Sequence, residues 1–447
     1  MHSTRQPARF APSGPLTGRV CVPGDKSISH RALILGALAV GETRIAGLLE
    51  AEDVMATAAA LRAMGVQIVK IGDEWRVHGV GVGGLLQPEA ALDMGNSGTA
   101  ARLLMGLVAS HDITTCFTGD ASLSRRPMNR VIEPLSLMGA SFTPSSGGTL
   151  PLMLAGTYPA VPIEYRLPVA SAQVKTAVLL AALNTPGITT VIEPVATRDH
   201  SERMLRAFGA DLQVEQAGDE RIIRLRGEAD LSPQSIVVPG DPSSAAFFIV
   251  AALLVEGSDL LIENVGLNPT RAGLIGVLRQ MGGQIDALNS REVGGEPVAD
   301  LRVRHSRLQG VEVDPALVPA MIDEFPILFV TAAMAHGRTV TRGLDELRVK
   351  ESDRLSAMAA ALSLAGARVE ETADGLVIDG SGGAPLAGTP DGAEVATLLD
   401  HRIAMSMAVA GLVSRQGVVI DDAAPIGTSF PDFTRTLEHA ARCTPIP

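Results

Sequence analysis

Residues 23–31, Pro-Gly-Asp-Lys-Ser-Ile-Ser-His-Arg, combine a turn, a lysine, two serine hydroxyls and an arginine. The apolar residues that follow are good helix formers, so the pattern predicts a helix with Ser27 or Ser29 as its N-cap. Unpaired backbone N–H groups and the positive pole of the helix dipole would then lie beside Lys26 and Arg31, an arrangement suited to a phosphate or carboxylate. A capped surface helix with a solvated lysine and arginine is the alternative.

A nucleotide-binding P-loop is excluded for this segment. That motif requires a glycine directly before the Lys-Ser pair and another five residues earlier. Asp25 occupies the first of these positions and Val20 the second.

Five further segments repeat the change from a polar, often glycine-containing stretch to an apolar helical run. They are residues 96–99, 171–173, 242–244, 323–326 and 400–402. Helix N-termini that face one common place would together form a strongly anion-binding site.

Several of these segments contain residues suited to catalysis or anion binding. The absence of a Cβ at Gly98 would let a ligand approach the backbone closely. Arg126 precedes a proline, which favours extended backbone and leaves its guanidinium able to bind an anion with two donors, although a solvated arginine pair is the alternative. Asp323 and Glu324 lie at a helix start, where one carboxylate would cap the helix and the other could serve as a general base.

The densest charge cluster is residues 348–354, Arg-Val-Lys-Glu-Ser-Asp-Arg. If Ser352 caps the next helix, Lys350 and Glu351 precede that helix and Arg354 lies in its first turn. A cation there opposes the helix dipole unless an anion is bound, so the cluster indicates a functional site. Arg402 likewise lies at a predicted helix start, where its positive charge would oppose the helix dipole.

Repeated glycines indicate the elements that must position these residues. Glycine follows a helical pattern and precedes an apolar run at positions 65, 139, 209, 282 and 366, as expected for a helix C′ residue with positive φ. A second series of helices ends near positions 41, 112, 187, 257, 337 and 417. Together they predict six α/β units of about 70–80 residues.

Two near copies of a Pro-Gly-Asp turn, at residues 23–25 and 239–241, divide these units into halves. We therefore expect two lobes of three units each. One lobe comprises residues 1–22 plus 240–447 and the other residues 23–239.

Composition limits the class of protein. The net charge of −12 argues against a nucleic-acid or membrane-surface binder, which would have a basic excess. Cys21, Cys116 and Cys443 lack metal-ligand spacing and are expected to be reduced thiols. No secretory signal pattern is present and the apolar runs are too short to span a bilayer, so we expect a cytoplasmic protein.

The polar segments, taken together, resemble the motifs of EPSP synthases (3-phosphoshikimate 1-carboxyvinyltransferases), particularly the class II branch. The resemblance runs in order from about residue 15 to about residue 435. It is based on the segment at residues 23–31 and on the motifs at residues 95–102, 125–128, 171–177, 347–354 and 400–405.

This resemblance implies an α/β fold of two lobes, an inverse α/β barrel with six βαβαββ repeats, three in each lobe. It also implies an active site in the cleft between the lobes, no metal or organic cofactor, and a monomer. In the implied reaction, the 5-hydroxyl of shikimate 3-phosphate attacks C2 of phosphoenolpyruvate while C3 gains a proton, and the tetrahedral intermediate then loses phosphate.

The resemblance also implies roles for individual residues. The shikimate 3-phosphate ligands would be Lys26, Ser27, Arg31, Ser171, Ala172, Gln173, Arg198, Asp323 and Lys350. The phosphoenolpyruvate ligands would be Lys26, Gly98, Arg126, Gln173, Arg354 and Arg402. Asp323 would accept the hydroxyl proton and Glu351 would donate a proton to C3, with Lys26 touching both substrates.

The related enolpyruvyl transferase that acts on UDP-N-acetylglucosamine is the alternative, but Ala121 stands where that family has a reactive cysteine. The final loop, residues 427–431, lacks the lysine that many EPSP synthases have before Phe-Pro. Gly98 occupies the position where an alanine is associated with glyphosate tolerance. We therefore expect a glyphosate-sensitive or only partly tolerant enzyme.

Overall fold

The computed structural model of the chain describes residues 5–442. The chain folds into two compact units. The inserted unit is Gly24–Val238, and the terminal unit comprises the residues up to Pro23 together with those from Pro239 onwards. Each unit has its own hydrophobic core, made almost entirely of aliphatic side chains in the inserted unit.

Thirteen α-helices lie in the described residues: α1 (Lys26–Leu38), α2 (Glu52–Ala63), α3 (Gly98–Ala109), α4 (Asn129–Leu137), α5 (Ala172–Leu183), α6 (His200–Ala207), α7 (Pro242–Leu254), α8 (Gly273–Gln280), α9 (Val318–Met321), α10 (Phe325–Met334), α11 (Arg354–Leu364), α12 (His401–Leu412) and α13 (Phe433–Ala440).

The strands of the described residues are β1 (Ala8–Phe10), β2 (Thr17–Cys21), β3 (Val40–Ala46), β4 (Gln67–Ile71), β5 (Glu74–Val80), β6 (Leu92–Asp93), β7 (Thr114–Thr118), β8 (Ser141–Ser145), β9 (Thr149–Ala155), β10 (Glu164–Arg166), β11 (Ile188–Glu193), β12 (Leu212–Ala217), β13 (Glu220–Arg226), β14 (Ser235–Val237), β15 (Asp259–Gly266), β16 (Gln284–Val293), β17 (Glu296–Arg304), β18 (Arg338–Val340), β19 (Arg368–Glu371), β20 (Leu376–Asp379) and β21 (Val418–Ile420).

The inserted unit contains three four-stranded sheets, ordered β14-β3-β5-β4, β6-β7-β9-β8 and β10-β11-β13-β12. In each sheet the first pair is parallel and the other pairs are antiparallel. Helices α1, α3 and α5 are buried along nearly their whole length, whereas α2, α4 and α6 have one exposed face. Apolar residues all round a helix are required when other elements cover every side of it.

The terminal unit repeats this plan with the sheets β16-β17-β15-β2, β18-β20-β19 and β1-β21. Single parallel bridges, Glu312 with Val340 and Val395 with Ile420, stand in place of the first parallel strand in the second and third of these sheets. Strand β1, from the beginning of the chain, pairs antiparallel with β21. The buried helices here are α7, α10 and α12.

In sequence order, β2, α1 and β3 would form one βαβ unit, and β14, α7 and β15 would form another. The strands that precede the two Pro-Gly-Asp turns do not pair in this way. Strand β2 precedes α1 but pairs with β15, and β14 precedes α7 but pairs with β3. Each turn is therefore a point where the chain passes from one unit to the other. A Cβ at Gly24 would lie 2.0 Å from the carbonyl oxygen of Gly47, so only glycine fits there.

The predicted C′ glycines are confirmed. The φ angles at positions 65, 139, 209, 282 and 366 lie between 91° and 108°, and each glycine directly follows the C-cap of its helix. Glycine adopts this left-handed backbone without the steric cost that a Cβ imposes.

The predicted helix caps are wrong at two positions. Asp25, not a serine, caps α1 by accepting a hydrogen bond of 2.9 Å from the Ile28 N–H. The helix therefore begins two residues earlier than a Ser27 cap would place it, and Ser29 instead accepts a hydrogen bond from the Leu49 N–H. Asp353, rather than Ser352, caps α11. In both cases an aspartate lies within two residues of a predicted serine cap, and aspartate and serine are about equally good N-caps.

Residues Pro315–Met334 are long and apolar enough, by length and composition, to cross a membrane. Of the 18-residue apolar window within this stretch, 67% is buried inside the protein, as in a core helix. Cys21 and Cys116 are free thiols, while Cys443 lies outside the described residues.

Candidate active site

Lys26 is the first residue of α1 in the inserted unit. Its Nζ lies 2.9 Å from Asp53 Oδ2, and both side chains are largely buried. The Asp53 carboxylate offsets the unfavourable position of a cation at a helix N-terminus. Sequence reasoning missed Asp53, because no local pattern connects it to Lys26.

Arg31 is buried, and its guanidinium is oriented by neighbours from three helices. It donates to Ser201 Oγ and Thr176 Oγ1, each at 2.8 Å, and to the carbonyl oxygen of Ser27 at 2.9 Å. Since these neighbours belong to α1, α5 and α6, the orientation of Arg31 depends on how the three helices pack.

His30, next to Arg31 on α1, is completely buried, and its Nδ1 lies 2.7 Å from Thr57 Oγ1. Burial, together with the positive charges of Lys26 and Arg31, holds the pKa of His30 well below its usual range. The imidazole is therefore neutral in the folded protein near neutral pH.

This shift predicts a loss of stability in mild acid. The unfolded chain takes up a proton at His30 near pH 6.5 whereas the folded chain does not, so the stability contributed by the neutral imidazole is present above that pH and lost as the pH falls toward the folded pKa. Below pH 6.5, wild type should lose about 1.4 kcal/mol of unfolding free energy per pH unit relative to His30→Asn. Urea unfolding between pH 7.5 and 5, followed by the fluorescence of Trp75, measures this difference.

His78→Asn, which removes a half-exposed imidazole from the same unit, is the matched control. Equal pH slopes for wild type and His30→Asn would contradict the prediction.

Arg126 and Gly98 lie together near the start of α3. The Arg126 guanidinium donates to Asn96 Oδ1 at 2.6 Å and to Ser122 Oγ at 3.3 Å. Its backbone is extended, with φ −80° and ψ 132°, as the following proline predicts. A Cβ at Gly98 would meet the Nη1 atoms of Arg126 and Arg102, both at 3.1 Å.

The start of α5 lies beside the start of α3. Ser171 caps α5, Ala172 is its first residue, and Gln173 follows. The Gln173 amide accepts from Arg102 Nη1 at 2.8 Å and donates to Thr99 Oγ1 at 3.0 Å. Thr99 and Arg102 were missed by sequence reasoning, although both lie within the motif at residues 95–102.

Arg198 lies half-buried in the loop between β11 and α6. Of the predicted site residues, the inserted unit therefore contains Lys26, Ser27, Arg31, Gly98, Arg126, Ser171, Ala172, Gln173 and Arg198.

Arg354 is the centre of the site residues in the terminal unit, and its side chain is only 1% exposed. Its Nε and Nη2 bind the two oxygens of Asp400, at 2.8 and 3.2 Å. The same guanidinium reaches Glu351 Oε2 at 2.5 Å and Asp323 Oδ1 at 3.4 Å. Burial alone would lower the pKa of Arg354, but the Asp400, Glu351 and Asp323 carboxylates raise it above its usual range.

Both predicted acid–base carboxylates thus contact a single guanidinium. Lys350 Nζ lies 3.6 Å from the same Asp323 oxygen. Asp323 belongs to a short 3-10 helix, Ile322–Glu324, which leads directly into α10. The expectation that one carboxylate of this pair caps α10 is wrong, because neither side chain makes a capping hydrogen bond. Ion pairing outweighs capping here.

Glu324 is buried and connects two parts of the terminal unit. One of its carboxylate oxygens accepts a hydrogen bond from Ser243 Oγ and lies 3.7 Å from Arg402 Nη1. Ser243 also accepts a hydrogen bond from Arg271, at 2.7 Å. These contacts span long sequence separations, so sequence reasoning did not find Ser243 or Arg271.

Arg402 lies in the first turn of α12, as predicted, and α12 is capped by Asp400. Its Nη1 donates to the backbone oxygen of Asp323 at 2.9 Å. The terminal unit therefore brings together the predicted site residues Asp323, Lys350, Glu351, Arg354 and Arg402. Asp400 also holds Arg354, a role that the motif at residues 400–405 did not reveal by itself.

Comparison with known proteins supplies the family. The family model described as EPSP synthase (3-phosphoshikimate 1-carboxyvinyltransferase) matches residues 10–437. The chain is 73% identical to the 3-phosphoshikimate 1-carboxyvinyltransferase of Novosphingobium aromaticivorans, with 98% of this chain and 100% of that protein covered. It is 64% identical to the protein of the same description from Zymomonas mobilis, over 98% of this chain and 97% of that one.

Solved structures show the same similarity. The EPSP synthase of Acinetobacter baumannii superimposes with a TM-score of 0.85 at 46% identity, and 98% of each chain is covered. An enolpyruvyl transferase of Streptomyces tendae, at 18% identity and a TM-score of 0.76 over 99% of this chain and 100% of that one, shares the fold. The predicted α/β fold class is confirmed by this likeness.

Proposed function

The chain belongs to the EPSP synthase family, and from this we propose how its side chains divide the work of the reaction. The enzyme transfers the carboxyvinyl group of phosphoenolpyruvate to the 5-hydroxyl of shikimate 3-phosphate and releases phosphate. The observation that carries the assignment of roles is that Asp323 and Glu351 contact the same buried guanidinium of Arg354. Two carboxylates so close together can act on one reacting centre.

Most of the shikimate 3-phosphate ligands that we propose lie in the inserted unit. They are Lys26, Ser27, Arg31, Ser171, Ala172, Gln173 and Arg198, with Lys350 and Asp323 from the terminal unit. The starts of α1 and α5 support this assignment, because helix N-termini offer backbone N–H groups to a phosphate. Arg31, held by its neighbours from three helices, adds a fixed cation.

We propose that phosphoenolpyruvate binds to Lys26, Gly98, Arg126, Gln173, Arg354 and Arg402. Both substrates are polyanions that repel one another, so several fixed cations are needed to bring the reacting atoms together. Such cations also stabilise the charge that develops in the transition state.

The acid–base roles follow from the order of bond changes. As O5 attacks C2 of phosphoenolpyruvate, Asp323 accepts the hydroxyl proton and Glu351 donates a proton to C3. In the second step C3 loses a proton to Glu351, the C2=C3 double bond forms again, and the C2–O bond to phosphate breaks. The substrate therefore ends with its methylene group restored, and phosphate carries away the negative charge.

The test is phosphate release from the purified protein given phosphoenolpyruvate and either shikimate 3-phosphate or UDP-N-acetylglucosamine. Release with shikimate 3-phosphate alone is the expected result. Release with the UDP-sugar would overturn the assignment, although the reactive cysteine of that related family is absent at Ala121.

We further propose that the enzyme works as a cytoplasmic monomer without membrane or nucleic-acid partners. The net charge of −12 and the burial of the longest apolar helical stretch support this proposal. Light scattering of the purified protein at micromolar concentration should give a mass close to 46.4 kDa.

Gly98→Ala should weaken phosphoenolpyruvate binding. The new methyl group would press on Arg126 Nη1 and Arg102 Nη1, each 3.1 Å away, and displace the guanidinium that we assign to this substrate. We expect the KM for phosphoenolpyruvate to rise about tenfold, the scale of modest overpacking. Glyphosate should inhibit wild type at a lower concentration than the variant, so equal inhibition constants would contradict the predicted sensitivity.

Gly276→Ala is the matched control, because Gly276 lies within α8 and no atom would crowd its added methyl group. This control should keep the wild-type KM.

A further inference from the structure

A buried ionic cluster lies in the inserted unit below the start of α5. Lys175, which is 0% exposed, places its Nζ 2.8 Å from Glu202 Oε1 and 3.0 Å from Glu193 Oε1. Arg221 approaches both glutamates at 3.6 Å. Two cations thus face two carboxylates in a region that solvent hardly reaches.

The cluster joins the elements that hold the proposed shikimate 3-phosphate ligands. Lys175 lies on α5, two residues after Gln173. Glu193 ends β11 and accepts a hydrogen bond of 2.5 Å from Thr197 Oγ1, the residue before Arg198. Glu202 lies on α6 next to Ser201, whose hydroxyl accepts a hydrogen bond from Arg31.

The loop that contains Arg198 is fixed on both sides. Thr197 is tied to Glu193 on one side, and on the other Asp199 forms an ion pair of 3.0 Å with Arg203. The backbone of Arg198 therefore lies between two anchored neighbours. The first of these anchors connects, through Glu193, to Lys175 and to α5.

We propose that Lys175, acting through Glu193 and Glu202, is a positioning residue for shikimate 3-phosphate binding. Through these two glutamates it fixes the positions of three features relative to one another: the loop that contains Arg198, the start of α5, and the contact between Ser201 and Arg31. The inference rests on the proposed function, which assigns Arg31, Arg198 and the start of α5 to this substrate.

Stability alone is a poor reason for such a cluster. Ions lose their hydration when they are buried, and a well-packed apolar group of similar volume is often at least as stabilising. Ion pairs with fixed hydrogen bonds define one geometry more narrowly than apolar contacts do. A positioning role accounts for the cost. Of the two partners of Lys175, Glu193 binds the residue before Arg198, and Glu202 lies next to Ser201, which accepts a hydrogen bond from Arg31.

Two buried threonines of the inserted unit offer a matched test. Thr197→Val removes the hydroxyl that binds Glu193 while it preserves the shape of the side chain. Thr189→Val makes the same change in β11 at a buried hydroxyl that has no hydrogen-bond partner. Isothermal titration with shikimate 3-phosphate alone, before any phosphoenolpyruvate is added, measures the binding of this one substrate.

Thr197→Val should raise the dissociation constant for shikimate 3-phosphate about tenfold, because only a fraction of molecules keeps the loop in its binding arrangement. Thr189→Val should bind as wild type does. The KM for phosphoenolpyruvate at saturating shikimate 3-phosphate should be the same in all three proteins, a result that a general loss of structure would not give. Lys175→Met should weaken the same binding at least as much.

Wild-type affinity in Thr197→Val overturns the inference, whether or not Lys175→Met folds. Equal losses in both threonine variants overturn it too, since they would point to a general effect of buried Thr→Val changes. If wild type itself does not bind shikimate 3-phosphate, the proposed function fails instead, so the two failures are distinguishable.

Discussion

Asp323→Asn is expected to reduce kcat by about a thousandfold, within the range for loss of a general base or acid. Asparagine keeps the size of the side chain but cannot accept the proton of the 5-hydroxyl. Glu351→Gln should reduce kcat to a similar extent, because the amide has no proton acidic enough to transfer to C3. Steady-state phosphate release measures both losses, so kcat alone does not separate the two roles.

Deuterium exchange at C3 of phosphoenolpyruvate separates the role of Asp323 from that of Glu351. In D₂O the enzyme places deuterium on C3 of phosphoenolpyruvate each time the tetrahedral intermediate forms and then reverts. Reversion requires the Asp323 proton to return to O5, whereas the forward step breaks the bond to phosphate. Asp323→Asn should therefore lower the amount of deuterated phosphoenolpyruvate recovered per phosphate released.

Glu351→Gln should leave the ratio of deuterated phosphoenolpyruvate to released phosphate close to the wild-type value. The reason is that both the forward and the reverse step remove a proton from the methyl group at C3. The opposite pattern would assign Asp323 to C3 and Glu351 to O5. Asp379→Asn, at an exposed carboxylate that pairs with Arg338, is the matched control and should keep wild-type kcat. A kcat for Asp323→Asn within threefold of wild type would contradict the assigned role.

Features that depend on a few adjacent residues could be predicted from the sequence. The six buried helices begin at the predicted segments, since polar residues before a long apolar run leave little choice of boundary. The C′ glycines follow from the steric cost of positive φ, which is also local. The choice between neighbouring caps could not be predicted, because serine and aspartate differ little in capping energy.

Features that depend on distant residues could not be predicted from local patterns. Strand β2 pairs with β15 and strand β14 pairs with β3, in each case within one compact unit but far apart in sequence or out of sequence order, and no property of the strands themselves specifies this pairing. The same holds for the carboxylates around Arg354, of which Asp400 lies 46 residues further along the chain. The roles of the site residues came from the resemblance to a family, since residue type and spacing alone left each motif with a structural alternative.

Arg354→Met should destabilise the terminal unit strongly. Asp400, Glu351 and Asp323 would lose the guanidinium that they share, and an uncompensated buried carboxylate costs about 3–5 kcal/mol of unfolding free energy. Urea unfolding followed by far-UV circular dichroism should show an earlier transition. The fluorescence of Trp75, the one tryptophan of the chain, reports the inserted unit separately. The two signals together therefore locate the loss.

Two further variants distinguish the loss of charge from the loss of geometry. Arg338→Met removes an exposed arginine that pairs with Asp379, and it should change stability little, because solvent screens surface ion pairs. Arg354→Lys keeps a buried cation but cannot bind both Asp400 oxygens with a planar fork, so it should retain most of the stability and still raise the KM for phosphoenolpyruvate. Equal unfolding midpoints for Arg354→Met and Arg338→Met would contradict the view that Arg354 neutralises the three carboxylates. A lysine variant with wild-type KM would instead mean that the site needs only the charge of Arg354 and not the geometry of its guanidinium.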